Sequence, residues 1–167
     1  MADAAETVAA VPADAALFHR LFPHPTAAGL HAVWMTVLVA GGGATGALAR
    51  AGVGQLGTDA ANGFPWITFS VNLAGCAAMG VLMAALHRRP ASPMWAGPVL
   101  GSGFLGGFTT FSSYAADTQR LLSHGHAGLG VLYAAATVVG ALLACAGGRA
   151  LTVRMVRTVP AHAAAGR

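Results

Sequence analysis

The sequence predicts an all-α membrane protein with four transmembrane helices per subunit, and three observations carry that prediction. Composition is the first: of 167 residues, 56% are hydrophobic and only 8% charged, against about 25% charge in a soluble domain. The second is that apolar residues gather into four stretches, each meeting the roughly 20 residues that a hydrocarbon core of about 30 Å requires. The third is the shortness of the connections at 54–63, 87–93 and 123–126, which makes successive helices antiparallel.

Residues 1–30 hold alanine, proline and histidine but no long apolar run. They read as a disordered tail without the basic-then-apolar layout of a signal peptide. The first stretch, 31–53, places Gly42 and Gly46 four apart. That spacing lets helix backbones approach closely, either within one subunit or across a dimer; four small helices make a thin bundle, which favours oligomerisation. Arg50 closes this stretch. It either snorkels to the interface or supplies a fixed positive potential at a vestibule mouth.

The second stretch, 64–86, repeats small residues at Ala74/Ala78 and Cys76/Gly80 and carries Asn72 in SVNLAG. An amide facing lipid is costly, so Asn72 is expected either to bond another helix or to line a polar path. Cys76 and Cys145 lack the spacing of a disulfide framework or metal site and read as small packing residues.

The third stretch, 94–122, contains GSGFLGGFTTFSSY at Gly101–Tyr114. Two adjacent glycines followed by two threonines at mid-span are poor material for a continuous helix. Non-helical backbone survives at membrane depth only when buried in protein or lining a polar cavity. A break near 105–109 is therefore expected, serving a site. Phe111 and Tyr114 follow it three apart, on one helix face. Such a pair is usually core, but its positive ring edges would also suit a small anion in a narrow conduit.

The fourth stretch, 127–148, places Tyr133 and Thr137 four apart on one face, with Ala141 continuing it. Thr137 can simply bond the Tyr133 carbonyl, as helical threonines do. Residues 150–167 read as a basic C-terminal tail.

Taken together, GGGATGALAR at Gly41–Arg50, VNLAG at Val71–Gly75 and GFLGGFTTFSSY at Gly103–Tyr114 resemble the CrcB/Fluc fluoride channels, in that family's order. The resemblance covers about residues 31–149. It implies an antiparallel dimer of four-helix subunits, with the third helix broken and two narrow fluoride pores. It also implies a structural, untransported Na+ at the dimer centre, held by backbone carbonyls that the motif places on Gly106 and Thr109. Oxygen ligands suit a hard cation. By the same resemblance Asn72, Phe111, Tyr114, Tyr133 and Thr137 line the fluoride pore, with Ser112 a weaker member. Tyr114 and Ala141 depart from the family, where phenylalanine and a hydroxyl residue are usual. The implied activity is passive export of fluoride from the cytoplasm across a bacterial cell membrane.

Charge placement adds two expectations. All the fixed side-chain positive charge is arginine. Arg20, Arg88, Arg89, Arg149, Arg154 and Arg157 fall on one side of the predicted bundle, Arg50 and Arg120 on the other. The positive-inside rule then puts both termini in the cytoplasm. An antiparallel dimer of identical chains needs insertion in both orientations, so an orientation so fixed favours pairing with an oppositely oriented paralogue over pairing with a second copy. The net charge of +4 accordingly speaks to topology and not to nucleic acid. The acids Asp3, Glu6, Asp14, Asp59 and Asp117 are read as falling outside the apolar stretches. On that reading a small proton-coupled multidrug transporter, which needs an embedded acid, is disfavoured. A non-conducting scaffold subunit would explain the glycines but not GGFTTFS. Nothing in the sequence points to an enzyme.

Overall fold

The computed structural model describes residues 27–57, 63–89 and 91–158. The expected tail segments 1–26 and 159–167, with Arg20, Asp3, Glu6, Asp14 and Asp59, lie outside the described residues. Two units are distinguished, Met1–Trp34 and Met35–Arg167, and the packing described here is that of the second.

All the elements among the described residues are helical. They are α1 (Ala27–Gly54), α2 (Trp66–His87), α3 (Gly97–Leu105), α4 (Gly106–Phe108), α5 (Phe111–Ser123) and α6 (Ala127–Thr158). Three stretches of helix are long and apolar enough to cross a membrane: Gly29–Gly54, Trp66–His87 and Ala127–Val156. Their outward side chains are largely apolar; Leu48, Val131, Leu142 and Leu143 are all well exposed. In water such a surface would be a liability; in lipid it is the expected exterior.

Contacts between helices fix the directions in which they run. Gly103 abuts Val39, and Gly107 abuts Gly43, so α1 and α3–α4 advance together. Gly97 meets Leu86 and Gly101 meets Met83, so α2 runs against α3. Leu73 packs on Gly140, and Gly80 on Cys145, so α2 and α6 are parallel. That is the alternation short connections impose. Gly42 and Gly46 press onto the backbone of Val99 and Phe104, so this glycine pair is taken up inside the subunit. Ala74 and Ala78 remain exposed.

The third stretch differs from expectation in detail. Its first part, α3, is wound in the wider π form, with Gly106 N donating to Gly101 O five residues back. Residues 105–108, where a break was expected, remain helical. The two glycines do not loosen the helix here, because Gly107 is held against the Gly43 backbone. Winding stops at the last of the expected residues, Thr109 (φ −74°, ψ 158°), and at Thr110 (φ −145°, ψ 123°), which are extended. α5 then ends in a Schellman turn. His126 N donates to Leu121 O (2.9 Å), and Gly125 takes φ 83°, a value that favours glycine. α6 runs to Thr158, past the expected end at 148, so residues 150–158, assigned to a tail, are helical.

Candidate functional site

The site is built where α2 meets the interruption between α4 and α5. Thr110 is the N-cap of α5, and its Oγ1 accepts from Ser113 N (3.1 Å). This satisfies one of the donors a helix start leaves open. Asn72, only 7% exposed, reaches across from α2 and pairs with both backbone groups of Thr110. Its Oδ1 accepts from Thr110 N (2.8 Å) and its Nδ2 donates to Thr110 O (3.0 Å). The amide oxygen thus replaces the backbone bond that Thr110 N forfeits in the extended conformation, while its Nδ2 adds a second donor to a carbonyl that already caps α5.

These substitutions leave two carbonyls without their ordinary helical donors. Thr110 N would have bonded Gly106 O had the helix continued; it donates to Asn72 instead. Ser113 N would have bonded Thr109 O; it donates to the Thr110 hydroxyl instead. Gly106 and Thr109, the two residues singled out for Na+, are among the carbonyls so released; Gly107 and Phe108 lose their helical donors at the same interruption, and Gly107 O is taken by Arg50 Nε. Neutral backbone oxygens fit a hard monovalent cation without importing a carboxylate. Thr109 Oγ1 takes no part in this, since it donates to Leu105 O (3.0 Å).

Beside the clamp lies a cavity of about 220 Å³, lined by Asn72, Phe111, Tyr114, Thr137 and Ala141 among others. The structure therefore brings together four of the predicted pore residues, and both departures, Tyr114 and Ala141, face the same space. Phe111 is 80% exposed at its rim, with its ring centroid 5.5 Å from that of Tyr114. The Tyr114 hydroxyl finds a partner in the Ala134 carbonyl at 3.4 Å, a long bond.

The remaining predicted residues sit differently. Tyr133 does not line the cavity. It is fully buried, packed edge-on against Phe64 (5.3 Å) and tilted against Tyr114 (5.7 Å). Among the described residues its Oη is the buried side-chain oxygen without a hydrogen-bond partner. Thr137 Oγ1 donates to Tyr133 O (2.7 Å), so its proton is already used. Ser112 is exposed and lies outside the cavity, its Oγ 3.2 Å from Thr110 Oγ1. Arg50 is partly buried, and its Nε donates to Gly107 O (3.4 Å), which ties the end of α1 to the helix just ahead of the interruption.

One acid corrects the sequence reading. Asp117 lies on α5, inside the limits 94–122 of the third stretch, and is partly buried. Its Oδ2 accepts from Thr68 Oγ1 (2.8 Å), and its Oδ1 pairs with Arg120 at 3.2 Å. The argument that no acid lies within the stretches therefore fails. The carboxylate is tolerated there because a cation and a hydroxyl hold it. Sequence reasoning missed Thr68, Thr110 and Asp117. Thr110 had a local signal, a threonine directly before a helical segment. Thr68 and Asp117 had none, being 49 residues apart.

Comparison with known proteins places the chain among relatives. A family model described as CrcB-like protein, Camphor Resistance (CrcB), matches residues 37–149. A Streptomyces coelicolor protein named fluoride-specific ion channel FluC 1 is 46% identical over 111 residues, covering 66% of this chain and 71% of the relative. The fluoride-specific ion channel FluC of Sphingopyxis alaskensis is 45% identical over 121 residues, 72% of this chain and 93% of the relative. That of Paracoccus denitrificans is 46% identical over 110 residues, 66% and 87% respectively.

Proposed function

The chain belongs to the CrcB family, and from that premise we propose that it is a subunit of a fluoride-selective channel in the cell membrane. Fluoride is small and tightly hydrated, so a selective path must replace its water with donors placed in a narrow space. The observation that carries the reading is the two-point pairing of Asn72 with Thr110 beside the Phe111–Tyr114 rings. It holds one Asn72 amide proton on the Thr110 carbonyl and leaves the second for an anion. Ring edges of Phe111 and Tyr114 add partial positive charge; the unpartnered Tyr133 hydroxyl, buried outside the cavity, becomes a donor only after moving. Thr137, its proton committed to Tyr133 O, contributes only after rotating.

The third membrane crossing is then the composite of α3, α4 and α5, and two subunits pair antiparallel. A structural Na+ would be held by the Gly106 and Thr109 carbonyls, supported by the diversion of their donors to Asn72 and Thr110 side chains. It would supply a fixed positive charge between protomers and cross-link them. Flow is passive and exports fluoride, with both termini cytoplasmic. A paralogous partner subunit is favoured by one observation: Arg88 and Arg149 line a single cavity at one end of the subunit, a charge bias that resists insertion in both orientations.

Fluoride efflux from liposomes carrying the purified chain tests the reading. Electrogenic loss of fluoride without a pH gradient, abolished in Asn72→Ala and Phe111→Ile, is the expected result. Flux that appears only after a paralogue is added selects the partnered form. No fluoride flux in either preparation overturns the proposal.

A further inference from the structure

The α2–α6 pair carries a second polar place, unrelated to the fluoride path. The two helices come closest where Gly80 meets the Cys145 carbonyl and Gly148 meets the Ala77 carbonyl. One to two turns further on, space opens between them. The result is a cavity of about 300 Å³ lined by Met83, Ala84, His87, Arg88, Arg149 and Val153. Two guanidinium groups and an imidazole from two different helices thus converge on one space. The one acidic side chain among the described residues is Asp117, and it is engaged by Thr68 and Arg120. No described carboxylate answers Arg88 or Arg149.

We propose that Arg88 and Arg149 bind the phosphate group of an anionic phospholipid, beside His87, whose Nδ1 donates to Met83 O (2.8 Å). Guanidinium groups match phosphate oxygens in charge and in fork geometry, and basic pockets between transmembrane helices take such headgroups. The walls argue for a lipid as the source. Met83, Ala84 and Val153 are apolar, and Arg88 also borders a larger cavity of about 640 Å³ walled by Leu82, Leu86 and Trp95. A phosphate at the arginines therefore has apolar surface beside it for the acyl portion.

Native mass spectrometry of the full chain, released from equal mixtures of phosphatidylglycerol and phosphatidylcholine, tests the site. Each arginine near a headgroup adds about 1 kcal/mol, or roughly fivefold. The wild-type chain is expected to retain phosphatidylglycerol at least roughly fivefold over phosphatidylcholine, and Arg88→Gln/Arg149→Gln to lose that preference. Arg120→Gln/Arg154→Gln removes equal charge from residues that line neither cavity and should keep it. Liposome efflux by each variant verifies that it is folded. A rise in melting temperature with inorganic phosphate in phosphatidylcholine alone, absent from Arg88→Gln/Arg149→Gln, sustains the site with free phosphate as its ligand. Equal retention of the two lipids by the wild-type chain, without that rise, overturns the proposal. So does equal loss of preference in both double variants, which would mean net charge alone.

Discussion

Helix α2 makes two contacts of opposite character. Against α6 it presents Ala77 and Gly80, and the backbones meet with no side chain between them. Against α5 it presents Thr68 and Asn72, and every contact is a hydrogen bond to a carboxylate or a bare backbone group. The first contact sets a distance. The second sets a conformation, because Asn72 makes the extended form of Thr110 affordable by pairing both of its backbone groups. In lipid, close backbone contact holds helices together, but only a polar partner permits winding to stop.

Five substitutions break or sharpen that contrast. The largest effect is expected from Gly80→Val, whose Cβ would fall on the Cys145 backbone. Backbone cannot step aside, so a loss of about 3 kcal/mol or more is expected, read as a lowered melting temperature in detergent. Gly147→Ala, with nothing within 4 Å of the new Cβ, should be neutral or slightly stabilising. Equal melting of the two variants would mean that the α2–α6 contact is not close.

Asn72→Ala comes next. It strands Thr110 N, worth about 1–3 kcal/mol when left unpaired. Fluoride efflux should fall at least about tenfold, one increment of 1.4 kcal/mol in the barrier. Undiminished efflux would detach the clamp from conduction.

Thr68→Val keeps the shape and removes the hydroxyl from Asp117. With Arg120 still in place, the expected loss is about 1 kcal/mol, visible as a shifted thermal midpoint. A cost matching that of Asn72→Ala would erase the distinction between holding a side chain and holding backbone.

Tyr114→Phe should do least. Its 3.4 Å bond to Ala134 O is long, and about 0.5 kcal/mol is the expected change. Efflux should stay within about threefold of wild type, a difference below 1 kcal/mol. A large gain in flux would show that the phenol, a departure from the family's usual phenylalanine, throttles the path.

Much of this was legible from residues alone. Hydrophobic runs near 20 residues long are local, so α1, α2 and α6 were found close to where they lie, and α6 overran only because its basic end is still good helix former. GGFTT announced an interruption, since a run of glycine and threonine weakens helix wherever it stands. The interruption falls at the far end of the expected 105–109, at Thr109 and Thr110. That position depended on Gly107 packing against Gly43 and on Asn72 waiting opposite Thr110, neither of which is near in sequence.

What the chain determined unaided is its solvent and its segmentation: composition and run length depend on no neighbour. What only the tertiary structure decided is which polar atoms are satisfied. Asn72 could be assigned an interhelical bond from its type, but not the two backbone groups it serves. Asp117 seemed to lie outside the apolar stretches until Thr68 and Arg120 were found around it. Arg50 had two destinations open, and its bond to Gly107 O could be read from neither. A hydrogen bond needs both partners within about 3 Å, and residues tens of positions apart come that close only once the helices have packed.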